Sequence, residues 1–246
     1  MNAPKVERLL QAWEHGRDLH PVRRALTLLH AGWPDTTLDE WAHMPIGRRD
    51  TALLDLRESL FGKHIETVMQ CPQCGEGLET GFSVDDLRVP SGELPVASPG
   101  LRWQVRDYTV DYRLPTSADL LDVMAAGPVD EAPGRLLGAC IENLRHEDAE
   151  LTVDELPAEI VAAVQQEMAR HDPGADTHVA LSCPGCRHEF DAVFDIVDYL
   201  WSEVDDWAER TLDQVHTLAS AYGWSEPAIL ALSPARRQHY IDRVQA

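Results

Sequence analysis

The chain has 246 residues, of which 44% are hydrophobic and 26% charged, a composition that excludes fibrous repeats and wholesale disorder. Its 42 acidic side chains outnumber the 21 basic ones, and the formal net charge of −21 argues against non-specific attraction to nucleic acid or anionic lipid. The excess lies almost entirely after residue 70, because the first 70 residues carry nine basic and ten acidic side chains.

Neither a membrane span nor a signal peptide is evident in the sequence. No apolar run approaches the roughly 18–20 residues that cross a bilayer, and the first residues lack an apolar core followed by a small-residue cleavage site. Four of the five cysteines form two CxxC pairs, which does not fit a secreted disulfide framework. We therefore expect a cytoplasmic protein without membrane insertion.

Helical periodicity dominates residues 1–65, which we predict to form a helical N-terminal module. Apolar side chains recur at helical spacing over residues 6–13 and again after Pro21, a residue favoured in the first turn of a helix. Further helices are predicted around Trp41 and over residues 48–61.

Short alternating runs follow this module and indicate strands around each CxxC pair, in residues 66–88 and 177–198. Residues 89–176 lie between them and are predicted to form an inserted segment. This segment begins with a loop rich in Pro, Gly and Ser that extends to Gly100, and an alternating run then predicts a hairpin over residues 101–114.

Helical spacing returns in the second half of the chain. It predicts six helices, over residues 117–126, 134–144, 157–170, 199–222, 226–232 and 234–244. The last three form a predicted C-terminal helical segment, residues 199–246.

The two CxxC pairs are the strongest chemical signal in the sequence. Each pair has the form Cys-Pro-x-Cys, with Cys71 and Cys74 in the first and Cys183 and Cys186 in the second. Such a turn places two sulfur atoms on one tight loop, and two turns together supply the four thiolates of a tetrahedral zinc site. We therefore predict one structural Zn²⁺ bound by these four cysteines.

The similarity of the two cysteine regions extends beyond the cysteines. An offset of 112 residues also aligns Leu78 with Phe190, Phe82 with Phe194, Val84 with Ile196 and Asp86 with Asp198. We interpret the two regions as halves of one zinc ribbon, split by the inserted segment.

Three other chemistries use the same kinds of residue. Iron in a rubredoxin-like site takes the same four thiolates, so spacing alone leaves it open. Redox-active CxxC pairs open a helix after a strand, whereas each pair here precedes an alternating run that indicates a strand. A catalytic zinc needs an open coordination position, which four thiolates do not leave.

The remaining candidate groups have structural explanations. His188 lies two residues after Cys186 and could replace a cysteine as ligand, but we interpret it as a histidine on a strand face. Cys140 lies in an apolar run and is interpreted as a small buried hydrophobic residue. The sequence has no P-loop, dinucleotide fingerprint, HExxH or GxSxG motif, and nothing in it indicates an enzyme.

Several short runs carry a family resemblance. They are DLHPVRRAL at 18–26, PIGRRD at 45–50, LFG at 60–62, CPQCG at 71–75, YRLPTSADL at 112–120, HTLA at 216–219, YGWSE at 222–226 and ILAL at 229–232. Together they resemble the T-even-type phage baseplate protein family, whose bacterial members accompany contractile, phage-tail-like injection systems.

The sequence thus predicts an α+β protein with a helical N-terminal module, a split four-cysteine zinc ribbon carrying an inserted α/β segment, and C-terminal helices. The resemblance implies a non-enzymatic baseplate component or assembly factor of a contractile injection system, with other baseplate, hub or spike subunits as partners. It also implies assembly in the bacterial cytosol, followed by release from or retention in a tail-like particle.

A zinc ribbon also fits a nucleic-acid-binding or transcription-associated protein. That function needs a basic face that carries aromatic side chains. The arginine pairs at 23–24, 48–49 and 236–237 are isolated, and we expect them to form solvated faces or ion pairs with acidic neighbours in an assembly. Because the acidic excess surrounds both cysteine pairs, we expect no binding of nucleic acid.

Overall fold

The computed structural model describes residues 4–88, 100–147 and 149–245. The first part of the chain forms α1 (Val6–Gly16), α2 (Pro21–Gly32), α3 (Leu38–Ala42), α4 (Ile46–Phe61), β1 (His64–Gln70), β2 (Gly77–Ser83) and α5 (Val84–Leu87). The middle part forms β3 (Leu101–Val105), β4 (Tyr108–Tyr112), α6 (Ser117–Ala125), α7 (Ala132–Cys140), β5 (Ile141–His146), β6 (Ala149–Glu150) and α8 (Ala158–His171). The last part forms β7 (His178–Ser182), β8 (Glu189–Val193), α9 (Ile196–Tyr222), α10 (Glu226–Leu230) and α11 (Pro234–Gln245).

This arrangement of helices and small antiparallel sheets confirms the predicted α+β class. The described strands form two two-stranded sheets, β1–β2 and β7–β8, and one four-stranded sheet in the order β3-β4-β5-β6. Within the described residues, no helix is both long enough and apolar enough to cross a membrane.

The start of α3 shows how local sequence fixes a helix end. The Thr37 hydroxyl oxygen accepts a hydrogen bond from the Glu40 N–H at 3.1 Å, and the Glu40 carboxylate accepts one from the Thr37 N–H at 2.7 Å. This reciprocal capping box satisfies two backbone donors that the first turn leaves free. The short helix predicted around Trp41 is therefore confirmed.

One hydrophobic core joins the N-terminal and C-terminal helices. Leu29 of α2, Leu53 of α4 and Leu200 and Leu218 of α9 are all fully buried in the same cluster. Helices from the two ends of the chain thus pack against each other, while the predicted segment boundaries at residues 65 and 199 stay predictions.

A second core lies within the inserted segment. Val110 and Tyr112 of β4 pack with Leu144 of β5 and with Ile160 and Val164 of α8. The hairpin predicted over residues 101–114 is confirmed, because β3 and β4 pair antiparallel around a turn at Arg106 and Asp107. The predicted loop over residues 89–99 lies outside the described residues.

One predicted helix is wrong over its last part. Helical spacing predicted a helix over residues 134–144, but α7 ends at Cys140 and the chain continues as β5. β5 pairs with β4, with Leu144 opposite Val110. Pairing with a distant strand overrides the local helical pattern, because burial against β4 satisfies both the backbone and the apolar side chains.

The inserted segment is attached to α4. Pro45 and Thr116 form an isolated antiparallel bridge, and the buried Arg49 donates from Nη1 to the Ser117 hydroxyl at 3.1 Å. These contacts connect the start of α4 to the start of α6.

Candidate metal centre

The two CxxC turns meet in space. Cys71 Sγ lies 3.6 Å from Cys186 Sγ, and Cys74 Sγ lies 3.6 Å from Cys183 Sγ. All four sulfur atoms lie within 4.8 Å of one another, and all four are free thiols. The structure therefore brings together the four cysteines that the sequence selected.

The cluster fits a tetrahedral metal ion. With metal–sulfur bonds of about 2.3 Å, the sulfur atoms of a tetrahedron lie about 3.8 Å apart, close to the two shortest distances found here. A disulfide requires about 2.05 Å between sulfur atoms, so these pairs are not cross-linked. The four cysteines could thus hold one metal ion.

Both turns have the same backbone geometry. The Cys71 N–H donates to the Glu76 carbonyl, and the Cys183 N–H donates to the His188 carbonyl, each at 2.9 Å. The residue after the second cysteine of each turn is in the left-handed region: Gly75 has a φ of +74° and Arg187 a φ of +61°. This left-handed conformation favours glycine. The second turn adopts it although the residue there is arginine, so both turns have the same backbone conformation.

The offset of 112 residues continues after the turns. The rings of Phe82 and Phe194 meet edge to face with centroids 5.3 Å apart. Each phenylalanine is followed by a residue that caps the next helix. Ser83 Oγ accepts a hydrogen bond from the Asp85 N–H at the start of α5, and Asp195 Oδ1 accepts one from the Val197 N–H at the start of α9. The two hairpins are therefore a structural repeat, and each leads directly into a helix.

The thiols of Cys71 and Cys74 have pKa values shifted in opposite directions. Burial raises the pKa of the Cys71 thiol, but backbone hydrogen bonds at Cys74 and Gln73 outweigh it and lower that pKa to about 7. At Cys74 a backbone hydrogen bond at Glu76 lowers the pKa, but hydrogen bonds with the thiols of Cys183 and Cys186 raise it to about 12. A divalent cation would supply the positive charge that four thiolates require.

Glu76 is a neighbour of the cluster that sequence reasoning missed. The Cys183 thiol donates to Glu76 Oε2 at 3.8 Å, across the junction of the two hairpins. A Cβ added to Gly185 would overlap that same carboxylate oxygen, so a larger residue there would move the Glu76 side chain away from Cys183. Under the 112-residue offset Glu76 corresponds to His188, which is the signal that could have singled it out.

His188 and Cys140 lie outside the four-sulfur cluster. The His188 ring stacks on Phe190 with centroids 5.8 Å apart, and His188 lies directly before β8 (Glu189–Val193), one residue outside the strand. Cys140 is fully buried in the second core, where desolvation and the charge of Asp119 raise its pKa to about 11. The interpretation of Cys140 as a small buried hydrophobic residue is confirmed.

One arginine of each isolated pair bonds to groups of the chain itself, with Arg24 half-buried and Arg49 and Arg237 buried, which corrects the expectation of solvated faces for these three. Arg49 also forms an ion pair with Asp50 at 2.7 Å. Arg24 donates to backbone carbonyl groups at the end of α1. Arg49 is buried and donates to Ser117, and Arg237 is buried and donates to Gln214 at 3.0 Å. Sequence reasoning missed this because the helix face on which each arginine lies depends on distant packing.

Comparison with known proteins gave one match, to a family model. The sequence model of the family described as "T4 bacteriophage base plate protein" matches residues 26–201, a range that contains all four clustered cysteines. Searches of curated proteins and of solved structures gave no match.

Proposed function

Because the chain belongs to the T4 bacteriophage base plate protein family, we propose that it is a structural component or assembly factor of the baseplate of a contractile, phage-tail-like injection system. The family match over residues 26–201 carries this proposal. We propose that the protein acts through contacts with other baseplate, hub or spike subunits and not as an enzyme. Its assembly would take place in the bacterial cytosol.

The proposed metal is a structural Zn²⁺ held by Cys71, Cys74, Cys183 and Cys186. The closeness of the four sulfur atoms supports a tetrahedral site. When bound, the ion supplies charge neutralisation and a cross-link, because four thiolates leave no coordination position for a substrate. A rubredoxin-like iron is the other ion that this donor set fits.

The cysteines would hold two distant parts of the chain in fixed register. The residues that meet, Cys71 with Cys186 and Cys74 with Cys183, are separated by 115 and 109 positions. α9 begins directly after the second hairpin, and the Tyr199 hydroxyl on its first turn donates to the Glu66 carbonyl of β1 at 3.0 Å. The cross-link would thus fix the direction in which α9 enters the main core.

The arginine environment supports a protein partner over nucleic acid. Because Arg24, Arg49 and Arg237 are engaged internally, each pair offers one remaining guanidinium group. Binding to phosphates at physiological salt requires several such groups on one face, more so in a chain with a net charge of −21.

Co-purification tests the proposed function. A tagged full-length chain should be recovered together with tail and baseplate proteins from cells that produce the contractile particle. Cys74→Ser should reduce this recovery, while Cys140→Ala, which changes a cysteine outside the cluster, should retain it. Recovery of RNA polymerase or nucleic acid without any tail protein would refute the baseplate role.

A further inference from the structure

Three aromatic side chains gather at the C-terminal end of the described chain. The rings of Tyr222 and Trp224 stack with centroids 4.8 Å apart, and Tyr240 of α11 meets Trp224 edge to face at 5.0 Å. Trp224 and Tyr240 cover the margin of the main core, while Tyr222 is 41% exposed. The cluster thus presents aromatic surface to solvent.

Two arginines are placed by helical spacing on the same side of α11 as Tyr240, one member of this cluster. Arg236 and Arg243 precede and follow Tyr240 by four and three positions, so all three share one face of α11. Both arginines are exposed, and no carboxylate in the described part of the chain pairs with either of them. We refer to Tyr222, Trp224, Arg236, Tyr240 and Arg243 as the C-terminal patch.

The charge of the C-terminal patch is opposite to that of the chain. Its two guanidinium groups have no carboxylate partner among the described residues, in a protein whose net charge is −21. Tyrosine, tryptophan and arginine are also the residues that dominate the binding energy of protein interfaces. Charge complementarity therefore selects an acidic partner.

We propose that the C-terminal patch is a docking surface for an acidic segment of another baseplate protein. This inference rests on the proposed baseplate function. It extends that function, because the patch lies beyond residue 201, where the family match ends. Carboxylates of the partner would pair with Arg236 and Arg243, and apolar side chains between them would pack on the ring of Tyr222.

The ring geometry favours protein over single-stranded nucleic acid as the occupant. Base stacking requires open ring faces along a positively charged groove. Here Tyr240 meets Trp224 at an interplanar angle of 90° and Tyr222 at 70°, and Tyr222 stacks on Trp224, so each ring already contacts the other two and they do not line up along a groove. Two free arginines also provide few phosphate contacts for a strongly acidic chain.

Site-specific photocrosslinking tests the docking surface. A photoreactive phenylalanine analogue replaces Tyr222 in the full-length chain, in cells that produce the contractile particle, and cross-linked peptides are identified by mass spectrometry. We expect a cross-link to an acidic segment of a baseplate protein. The same probe in place of Val68, which is 63% exposed on the first hairpin, should not cross-link to that segment.

Charge reversal provides the decisive comparison. Arg236→Glu combined with Arg243→Glu should lower the cross-link yield about tenfold or more. Arg23→Glu combined with Arg210→Glu changes the net charge equally at exposed positions elsewhere and should leave the yield unchanged. Thermal melting of both double variants checks that each is folded.

Several outcomes would overturn the inference. These are an unchanged yield after reversal at Arg236 and Arg243, a cross-link only to nucleic acid or to a second copy of this chain, or no cross-link although the tagged chain co-purifies with baseplate proteins. In each of these cases the proposed function survives if co-purification persists. Loss of co-purification by the unmodified chain would instead refute the proposed function as well.

Discussion

The carboxylate of Asp172 accepts a hydrogen bond from the backbone N–H of Gly47 at 2.9 Å, across 125 positions of the sequence. Gly47 lies in the first turn of α4, where backbone N–H groups lack partners within the helix and the helix dipole favours a negative charge. Asp172 follows α8, so this contact joins the inserted segment to the helical core.

Gly47 has no room for a side chain. A Cβ at this position would overlap Asp172 Oδ1 and lie 2.8 Å from the backbone nitrogen of Ala175. We expect Gly47→Ala to lower the free energy of unfolding by about 1–3 kcal/mol, because the backbone of the inserted segment must shift. Gly138→Ala is the matched control, since a Cβ there meets nothing within 4 Å. Equal stability of the two variants in urea unfolding would contradict the contact.

Asp172 should also make stability depend on pH. Desolvation raises its pKa above the usual 3.8, although the hydrogen bond from Gly47 opposes that shift. A group whose pKa is raised by folding stabilises the protein when protonated, and this contribution is lost as pH rises through the raised pKa. Asp172→Asn stays neutral, so the stability of the unmodified protein relative to this variant should fall as pH rises above 3.8. A relative stability that rises with pH would contradict the assignment.

Arg57 and Glu203 should be the ion pair with the largest effect on stability. Arg57 is only 3% exposed and donates to both oxygens of Glu203, at 2.9 and 2.7 Å, which connects α4 to α9. Removing the carboxylate leaves a buried guanidinium that keeps its hydrogen bond to the Gly62 carbonyl and its contact with Tyr199 but has no charged partner there. Because Glu203 is itself partly exposed, we expect Glu203→Ala to cost about 2–3 kcal/mol, somewhat less than a fully buried pair.

The exposed pair of Arg106 and Glu159 provides the control. Both of its side chains are more than half exposed, so Glu159→Ala should cost far less stability than Glu203→Ala. Chemical denaturation of the two variants compares them directly. A loss at Glu159 as large as that at Glu203 would show that burial of Arg57 does not determine the cost.

The main core leads to a prediction about truncation. Leu29 and Leu53 from the N-terminal helices contact the same cluster as Leu200 and Leu218 of α9. Deletion of residues 1–62 would expose this apolar face of α9, so we expect an insoluble product. Expression followed by centrifugation tests this, and a soluble, folded remainder would show that the rest of the chain carries an independent core.

Local patterns in the sequence predicted the helices that carry caps and the two cysteine hairpins. The Thr37 capping box and the 112-residue offset depend on neighbouring residues or on repetition, both of which are visible in one sequence. β5 and the contact between Gly47 and Asp172 were not predictable in this way. Each depends on which distant segment lies alongside, and periodicity carries no information about that.

In the metal centre, too, local motifs were predictable from the sequence and contacts between distant segments were not. Spacing predicted the four cysteines, because a CxxC turn is a local motif with a known ligand geometry. Glu76 was missed, since its approach to Cys183 arises only when the two hairpins meet. The burial of Arg49 and Arg237 also requires knowledge of which helix faces pack inward.

Loss of a single cysteine from the cluster should abolish metal binding and the stability that it confers. Cys74 and Cys186 are exposed, so replacing either sulfur with oxygen disturbs apolar packing little and acts mainly on coordination. We expect about one zinc or iron ion per unmodified chain, and close to none in Cys74→Ser or Cys186→Ser. Structural zinc contributes about 10–16 kcal/mol in small zinc-folded peptides, which is an upper limit for this chain because two further hydrophobic cores also stabilise it.

A chelator should therefore lower the Tm of the unmodified protein and of Cys140→Ala, and leave the Tm of the two serine variants unchanged. Elemental analysis that finds neither metal, with all four thiols freely titratable in the native protein, would refute the metal centre.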